Sequence, residues 1–302
     1  MIRISLLKRV FSKKRAVIFL VTTLFLYLIL SAIGAIFVMQ VPRLPLEETL
    51  ISFNVDYDDV AFLSRHDDVL LRGWYIPGEA NEVIMIIHGG IQNRVDNNVG
   101  TLGLSLDLHN QGFNLLLFDL RGRGESDGTG RSLTYIENDI GGAVDYLGSR
   151  GFALRKINII GYCAGAASAC IFAAQENLGS LVLVGCFAEV DDMVVRMGIE
   201  HGIPAIFTRL FIPGLRLMTK IIFGFDVVDP VDAVRYVDCP ILFIHEEYDD
   251  LVPVEDIRRL FRASTNPVNE LWEISGVEHS QVYRSLSDVF IAQVTNFINS
   301  NA

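Results

Sequence analysis

No acidic residue occurs before Glu47, and no cysteine before Cys163. The first absence leaves the N-terminal segment with positive charge only. The second excludes a lipid-attachment cysteine near that segment. No Cys-x-x-Cys pair exists, so a structural zinc site is not expected. The four cysteines, Cys163, Cys170, Cys186 and Cys239, fall within or beside expected core elements, which favours free thiols over disulfides. Low-complexity tracts and internal repeats are also missing, which argues against disorder and against a solenoid. Basic residues are scarce beyond the N-terminus. Six of the 25 lie before residue 16, and the remaining 19 face 36 acidic residues, a net of −17. Nucleic-acid binding needs a basic face, and this body has none to offer.

What is present begins with an apolar run. Ala16 to Met39 is uncharged and almost wholly apolar. As a helix it spans about 36 Å, enough for a bilayer core of about 30 Å. Lys13, Lys14 and Arg15 precede it, with Arg3, Lys8 and Arg9 further back, and only Arg43 follows closely. That asymmetry puts the N-terminus in the cytoplasm and the body on the far side. A cleaved signal peptide is the competing reading. The small residues of Ser31-Ala32-Ile33-Gly34-Ala35 offer a site, but Ile36-Phe37-Val38-Met39 carries the run past them. The expected division is a cytoplasmic basic segment (1–15), a transmembrane helix (16–39), a linker (40–50) and a catalytic body (51–302).

Within the body, strand and helix patterns alternate. Ile51 to Leu63 and Val69 to Ile76 read as an opening pair of strands. Val83–Ile87, Phe113–Phe118, Ile157–Ile160, Leu181–Gly185, Ile241–Ile244 and Glu270–Ile274 read as buried strands of a parallel sheet. Thr101–Asn110, Thr134–Leu147, Cys163–Glu176, Val254–Arg262 and Val282–Ile298 read as helices. The pattern predicts an α/β fold, a mostly parallel sheet with helices on both faces. Asp191 to Asp238 lacks a clear strand and is expected to form a helical cap. Its apolar part, Ile203 to Phe225, carries Arg209, Arg216, Lys220 and two prolines, which argues against a second membrane span. A lipid-facing cap is the alternative to simple packing on the body.

Gly161-Tyr162-Cys163-Ala164-Gly165 sits between a strand and a helix. This is the G-x-S-x-G nucleophile elbow with cysteine in place of serine. The helix dipole and free N–H groups favour negative charge on the sulfur. An oxyanion hole needs two donors. The Ala164 N–H, just after the nucleophile, is one; the Gly90 N–H in His88-Gly89-Gly90 is the other. His88 is expected to shape that loop and not to act as base. Chain order asks for an acid and then a histidine after the nucleophile. His279, in a loop after the last strand, fits the base. His201 and His245 are expected to be structural. Asp249 or Asp250 would orient the base, with Asp249 favoured by spacing.

These residues bring the body to a resemblance. It is similar to the α/β-hydrolase superfamily, in particular the Bem46-like membrane-anchored serine hydrolases. The similarity rests on Leu71 to Pro77, Val83 to Arg94, Phe118 to Ser126, the elbow, Asp229 to Ala233 and Ile244 to Pro253. It covers about residues 50 to 300. It implies an eight-stranded, mostly parallel sheet and a triad of Cys163, Asp249 and His279 on three loops. It also implies structural support of the loop by Asp119 and Arg121. Two positions depart from it. Cysteine at 163 is instead similar to dienelactone hydrolases, and Glu246 stands where a glycine is usual.

The implied chemistry is cleavage of a carboxylic ester or thioester through an acyl-enzyme. The partners are a small or lipid-like acyl substrate and a membrane, through residues 16–39, and no nucleic acid. The chemistry requires no metal or organic cofactor. A silent hydrolase-like binding module and a redox-responsive thiol protein are the other classes the residues allow.

Overall fold

The computed structural model describes residues 2–130, 133 and 135–301, and only the backbone of residues 2–12 and 52. The side chains of Arg3, Lys8 and Arg9, and the expected helix start at Thr134, lie outside that description. The N-terminal run forms one long helix, α1 (Ile2–Met39). Its apolar stretch is a candidate transmembrane span.

The body follows. A short 3-10 turn at Leu50–Phe53 replaces the expected early start of the first strand. Asn54 closes that turn in the left-handed region (φ 52°), which breaks the extended run. The strands are β1 (Asp58–Leu63), β2 (Leu70–Ile76), β3 (Val83–Ile87), β4 (Asn114–Phe118), β5 (Ile157–Tyr162), β6 (Leu181–Val184), β7 (Ile241–Tyr248) and β8 (Glu270–Glu278). Their order across the sheet is β1-β2-β4-β3-β5-β6-β7-β8. The sheet is mixed. β2 runs antiparallel to β1 and β4, and every later pairing is parallel.

The helices between strands are α2 (Thr101–Asn110), α3 (Ile136–Ser149) and α4 (Ala164–Ala173). After β6 come α5 (Val190–Glu200), α6 (Ala205–Phe223) and the short α7 (Pro230–Ala233), which form the helical cap insertion. α8 (Val254–Ala263) joins β7 to β8. The expected closing helix is two: α9 (Val282–Ser285) and α10 (Ser287–Ser300). Leu286 leaves helical geometry between them (φ −142°, ψ 48°), its side chain packed on the core.

Alternation along the strands divides the core in two. Val83, Met85 and Ile87 point to the face covered by α3, α4 and α8; Ile84 and Ile86 point to the face covered by α2 and α10. All five β3 residues are buried, as a central parallel strand requires. Each large aliphatic side chain buried this way contributes about 1.5–3 kcal/mol.

The loop after β4 is built on buried charge. Asp119 accepts hydrogen bonds from the Arg94 and Glu125 N–H groups and pairs with the Arg94 guanidinium at 2.7 Å. Arg121 pairs with Asp139 at 2.7 Å and also reaches Asp67 and Ser64. Both residues hold the loop, and the Arg121 carbonyl accepts a hydrogen bond from the Arg123 guanidinium (3.1 Å). All four cysteines are free thiols.

Candidate active site

Strand register assembles the site. Tyr162 at the end of β5 pairs with Val184 at the end of β6, so Cys163 and Gly185 emerge side by side. Tyr248 at the end of β7 pairs with Glu278 at the end of β8, so the next residues, Asp249 and His279, also emerge together. Both pairs leave the carboxyl edge of the sheet, where open α/β sheets bind their ligands. β7 and β8 run four residues further than the apolar runs suggest, through a register shift between Glu246 and Tyr248. That extension sets the acid level with the histidine.

Cys163 sits at φ 50°, ψ −114°, immediately before α4. Such geometry is costly for a side-chain-bearing residue and recurs at functional sites. The two elbow glycines are steric necessities. A Cβ on Gly161 would lie 2.7 Å from the Ala166 Cα, and one on Gly165 would lie 2.4 Å from the His88 carbonyl oxygen. The strain at Cys163 is held by its N–H to the Val184 carbonyl (2.9 Å) and by the Ala167 N–H to its own carbonyl (3.0 Å).

The His279 Nδ1 lies 2.5 Å from the Asp249 Oδ2. The other Asp249 oxygen accepts the backbone N–H groups of Leu251 (2.9 Å) and Val252 (2.7 Å). Those bonds fix the carboxylate, whose side chain is fully buried. Asp250 is exposed and bonds nothing at the ring. With Nδ1 turned to Asp249, the His279 ring lies against Gly185, beside the strand end that carries Cys163, and the sulfur acts on the ring's titration. Burial of the ring disfavours its cation, but Asp249 and Cys163 outweigh burial and push the His279 pKa up to about 11.

Gly90 approaches the elbow closely: a Cβ there would lie 3.5 Å from the Ala164 Cβ. Among the described residues, neither the Gly90 N–H nor the Ala164 N–H donates a hydrogen bond. Both N–H groups are thus open to an acceptor, as donors of an oxyanion hole must be. The loop is braced from behind. The Arg123 Nε donates to the Gly90 carbonyl at 2.8 Å. The His88 Nε2 accepts the Leu120 N–H (3.1 Å), which leaves Nδ1 to donate to the Gly89 carbonyl (2.9 Å). Burial, with the Arg123 charge nearby, lowers the His88 pKa to about 3, so the ring stays neutral. His201 caps the end of α5 through the Met197 carbonyl, far from the ring of His279 in role and chemistry.

Three residues near the site were not legible as parts of it. Gly185 has φ 59°, and a Cβ there would lie 3.0 Å from the His279 Cε1; the glycine that ends β6 is the floor under the imidazole. Asp96 is buried and holds its own turn through the Asn98 and Val99 N–H groups. Burial raises its pKa, and the neighbouring His279 opposes that rise. Glu246 is the third. It is fully buried, and neither carboxylate oxygen has a hydrogen-bond partner among the described residues. Burial pushes its pKa up to about 8, so it is mostly protonated at neutral pH. The sequence signal was there: a glutamate in place of a loop glycine.

His245, Glu246 and Asp249 bring ligand atoms within 4.8 Å of one another. Asp249, however, already directs its oxygens to His279 and two backbone N–H groups. The cluster is better described as the buried polar backing of the His279–Asp249 pair than as a ligand set.

The sheet order, the elbow after β5 and the acid and histidine after β7 and β8 define a class: this chain has the α/β-hydrolase fold. A family model described as alpha/beta hydrolase fold matches residues 82–225. Among curated proteins, YqkD of Bacillus subtilis, an uncharacterized protein, is 26% identical over 238 residues, covering 76% of this chain and 75% of YqkD. The alpha/beta hydrolase domain-containing protein WAV2 of Arabidopsis thaliana is 24% identical and covers 82% of this chain and 80% of its own. Among solved structures, the Pyrococcus furiosus esterase Pf2001 superposes with a TM-score of 0.72 at 20% identity, over 87% of this chain and 98% of the esterase. Est1E of Butyrivibrio proteoclasticus, solved with ferulic acid bound, gives 0.60 at 18% identity, over 82% and 99%.

Proposed function

We propose that the chain is a hydrolase of carboxylic esters or thioesters, with Cys163 as nucleophile, His279 as base and Asp249 as its orienting acid. The observation that carries this reading is the strained Cys163 at the head of α4, with His279 and Asp249 beside it. In this mechanism the sulfur attacks the acyl carbonyl, and the Gly90 and Ala164 N–H groups hold the oxyanion. His279 protonates the departing alcohol or thiol. It then takes a proton from water, which attacks the thioester to release the acid and regenerate Cys163. Sulfur is a good nucleophile and a good leaving group, which suits activated esters and thioesters better than amides.

In the same reading α1 anchors the enzyme in a membrane through residues 16–39, the basic segment 1–15 lies in the cytoplasm and the body lies on the other side. Residues 51–302 form the catalytic body, with residues 191–238 as its cap. The membrane anchor and the solved esterases with the same fold support a small or lipid-like acyl substrate. Its affinity is with the Bem46-like hydrolases, with sulfur at the elbow.

The test is turnover of p-nitrophenyl esters and acyl thioesters over a range of chain lengths. Wild type should show turnover that Cys163→Ala and His279→Ala each lower by about 10³-fold or more. Iodoacetamide should inactivate it with one label, on Cys163. A folded wild-type protein that labels at Cys163 but turns over no acyl substrate would defeat the reading.

A further inference from the structure

The cap helix α6 shows an apolar surface that the body does not use. Ile206 (75% exposed), Leu210 (62%), Leu217 (47%) and Ile221 (65%) lie at helical spacing along one side, with Phe207 beside them. The charges of α6 are paired with acids of the insertion, and Arg209 lies 3.9 Å from Asp192. Arg216 bonds Asp191 and Asp229, and Lys220 bonds Asp226.

The inner side of α6 packs on α1. Tyr27 stacks on Phe211 with ring centroids 5.1 Å apart. A Cβ on Gly34 would lie 2.8 Å from the Leu215 side chain, and one on Gly214 would lie 2.1 Å from the Ser31 Oγ. Pro213 interrupts α6. Beside it, the Tyr27 hydroxyl accepts the Gly214 N–H (3.0 Å) and donates to the Leu210 carbonyl (3.2 Å). A neighbouring helix thus satisfies the polar groups at a proline break, the arrangement that lets proline reside in helices surrounded by lipid.

The position of that contact matters. Tyr27 is the middle of the 16–39 apolar stretch, so α6 reaches the level of that middle. α1 itself exposes apolar side chains along the same stretch, such as Phe25 (65% exposed) and Phe37 (65%). The geometry points to α6 as a second membrane-embedded element: its Ile206–Leu210–Leu217–Ile221 side faces the acyl chains of the bilayer that α1 spans. The partner is the hydrocarbon of a lipid leaflet. The inference rests on the proposed span of α1 and not on the proposed chemistry.

The experiment uses the full chain in a Cys163→Ser background, where the remaining cysteines are fully buried. Single cysteines replace Ile206, Leu210 or Ile221, with Phe25→Cys on α1 and Val268→Cys on the body as references. Each carries an environment-sensitive fluorophore and is reconstituted in phosphatidylcholine vesicles with and without doxyl-labelled phosphatidylcholine. The α6 positions should match Phe25, with blue-shifted emission and at least about twofold quenching by the doxyl lipid, while Val268 stays unquenched. If Phe25 is quenched and the α6 positions behave like Val268, the inference is overturned and the span stands. If no position is quenched, both fall. Blue-shifted emission at α6 without quenching, rising with protein density, would assign that side to a second copy and overturn the inference.

Discussion

Replacing Glu246 by glutamine should stabilise the protein, and by an amount that depends on pH. The carboxyl group is fully buried, with no hydrogen-bond partner among the described residues, and its pKa rises from 4.5 to about 8. An acid whose pKa rises on folding holds its proton more tightly in the folded state. Stability is therefore fully present below pH 4.5 and declines until the pH passes about 8. At pH 7 the unfolded chain gains from ionising a group that the folded chain must keep neutral. The gap of two and a half pH units is worth about 3 kcal/mol. Glutamine mimics the protonated acid and removes the titration. Glu246→Gln should match wild type near pH 4.5 and exceed it by about 3 kcal/mol at pH 7, which is roughly 5–10 °C in midpoint for a domain of this size. Thermal unfolding of the full chain in detergent micelles, scanned from pH 4.5 to 8.5, reads this out. Parallel pH profiles for the two proteins would refute the reasoning, since they would mean that Glu246 ionises in the folded state at no cost.

Three further outcomes are expected. Asp249→Asn should lower acyl turnover by about 10⁴-fold by releasing the imidazole from its tautomer, while Asp250→Asn, at an exposed position, should leave it within about twofold; steady-state kinetics on one ester separates them. Gly185→Ala should lower turnover at least about tenfold and cost about 1–2 kcal/mol in urea unfolding, because the backbone there is left-handed and the new Cβ would meet the His279 ring at 3.0 Å. Arg121→Ala should destabilise by about 3–5 kcal/mol, because Asp139, fully buried, would lose its partner, and the active-site titration by iodoacetamide of the protein that still folds should be unchanged.

The centre of the sheet was legible because β3 to β6 are buried on both faces and read as unbroken apolar runs. The elbow was legible because two glycines around a strand-to-helix junction have few other uses, and the contacts that a Cβ would make at Gly161 and Gly165 give the reason. The choice between Asp249 and Asp250 was not settled by adjacency in sequence. The proposed choice of Asp249 rests on the pairing of Tyr248 with Glu278, a register that no local pattern encodes. The misplaced start of β1 has the same origin: Asn54 and its left-handed turn cut an apolar stretch that looks extended. Gly185 stayed hidden because its meaning lies in a contact with a residue 94 positions away. The packing of α6 on α1 was equally out of reach, since both helices are apolar and nothing in either names the other.

The passage from α1 into the body has a mechanical consequence. Residues 40–50 are not a slack tether. The Val41 N–H bonds the Gly130 carbonyl, Arg43 grips the carbonyls of Gly124, Ser126 and Gly128, and Asn93 holds those of Leu44 and Pro45. A body fastened this way behaves as a bracket and not as a leash. In the proposed anchored state it would keep one height and one tilt over the lipid surface and tumble only as fast as its helix turns in the plane. Its encounters would then be those of a two-dimensional search, confined to whatever drifts beneath a mouth of fixed orientation.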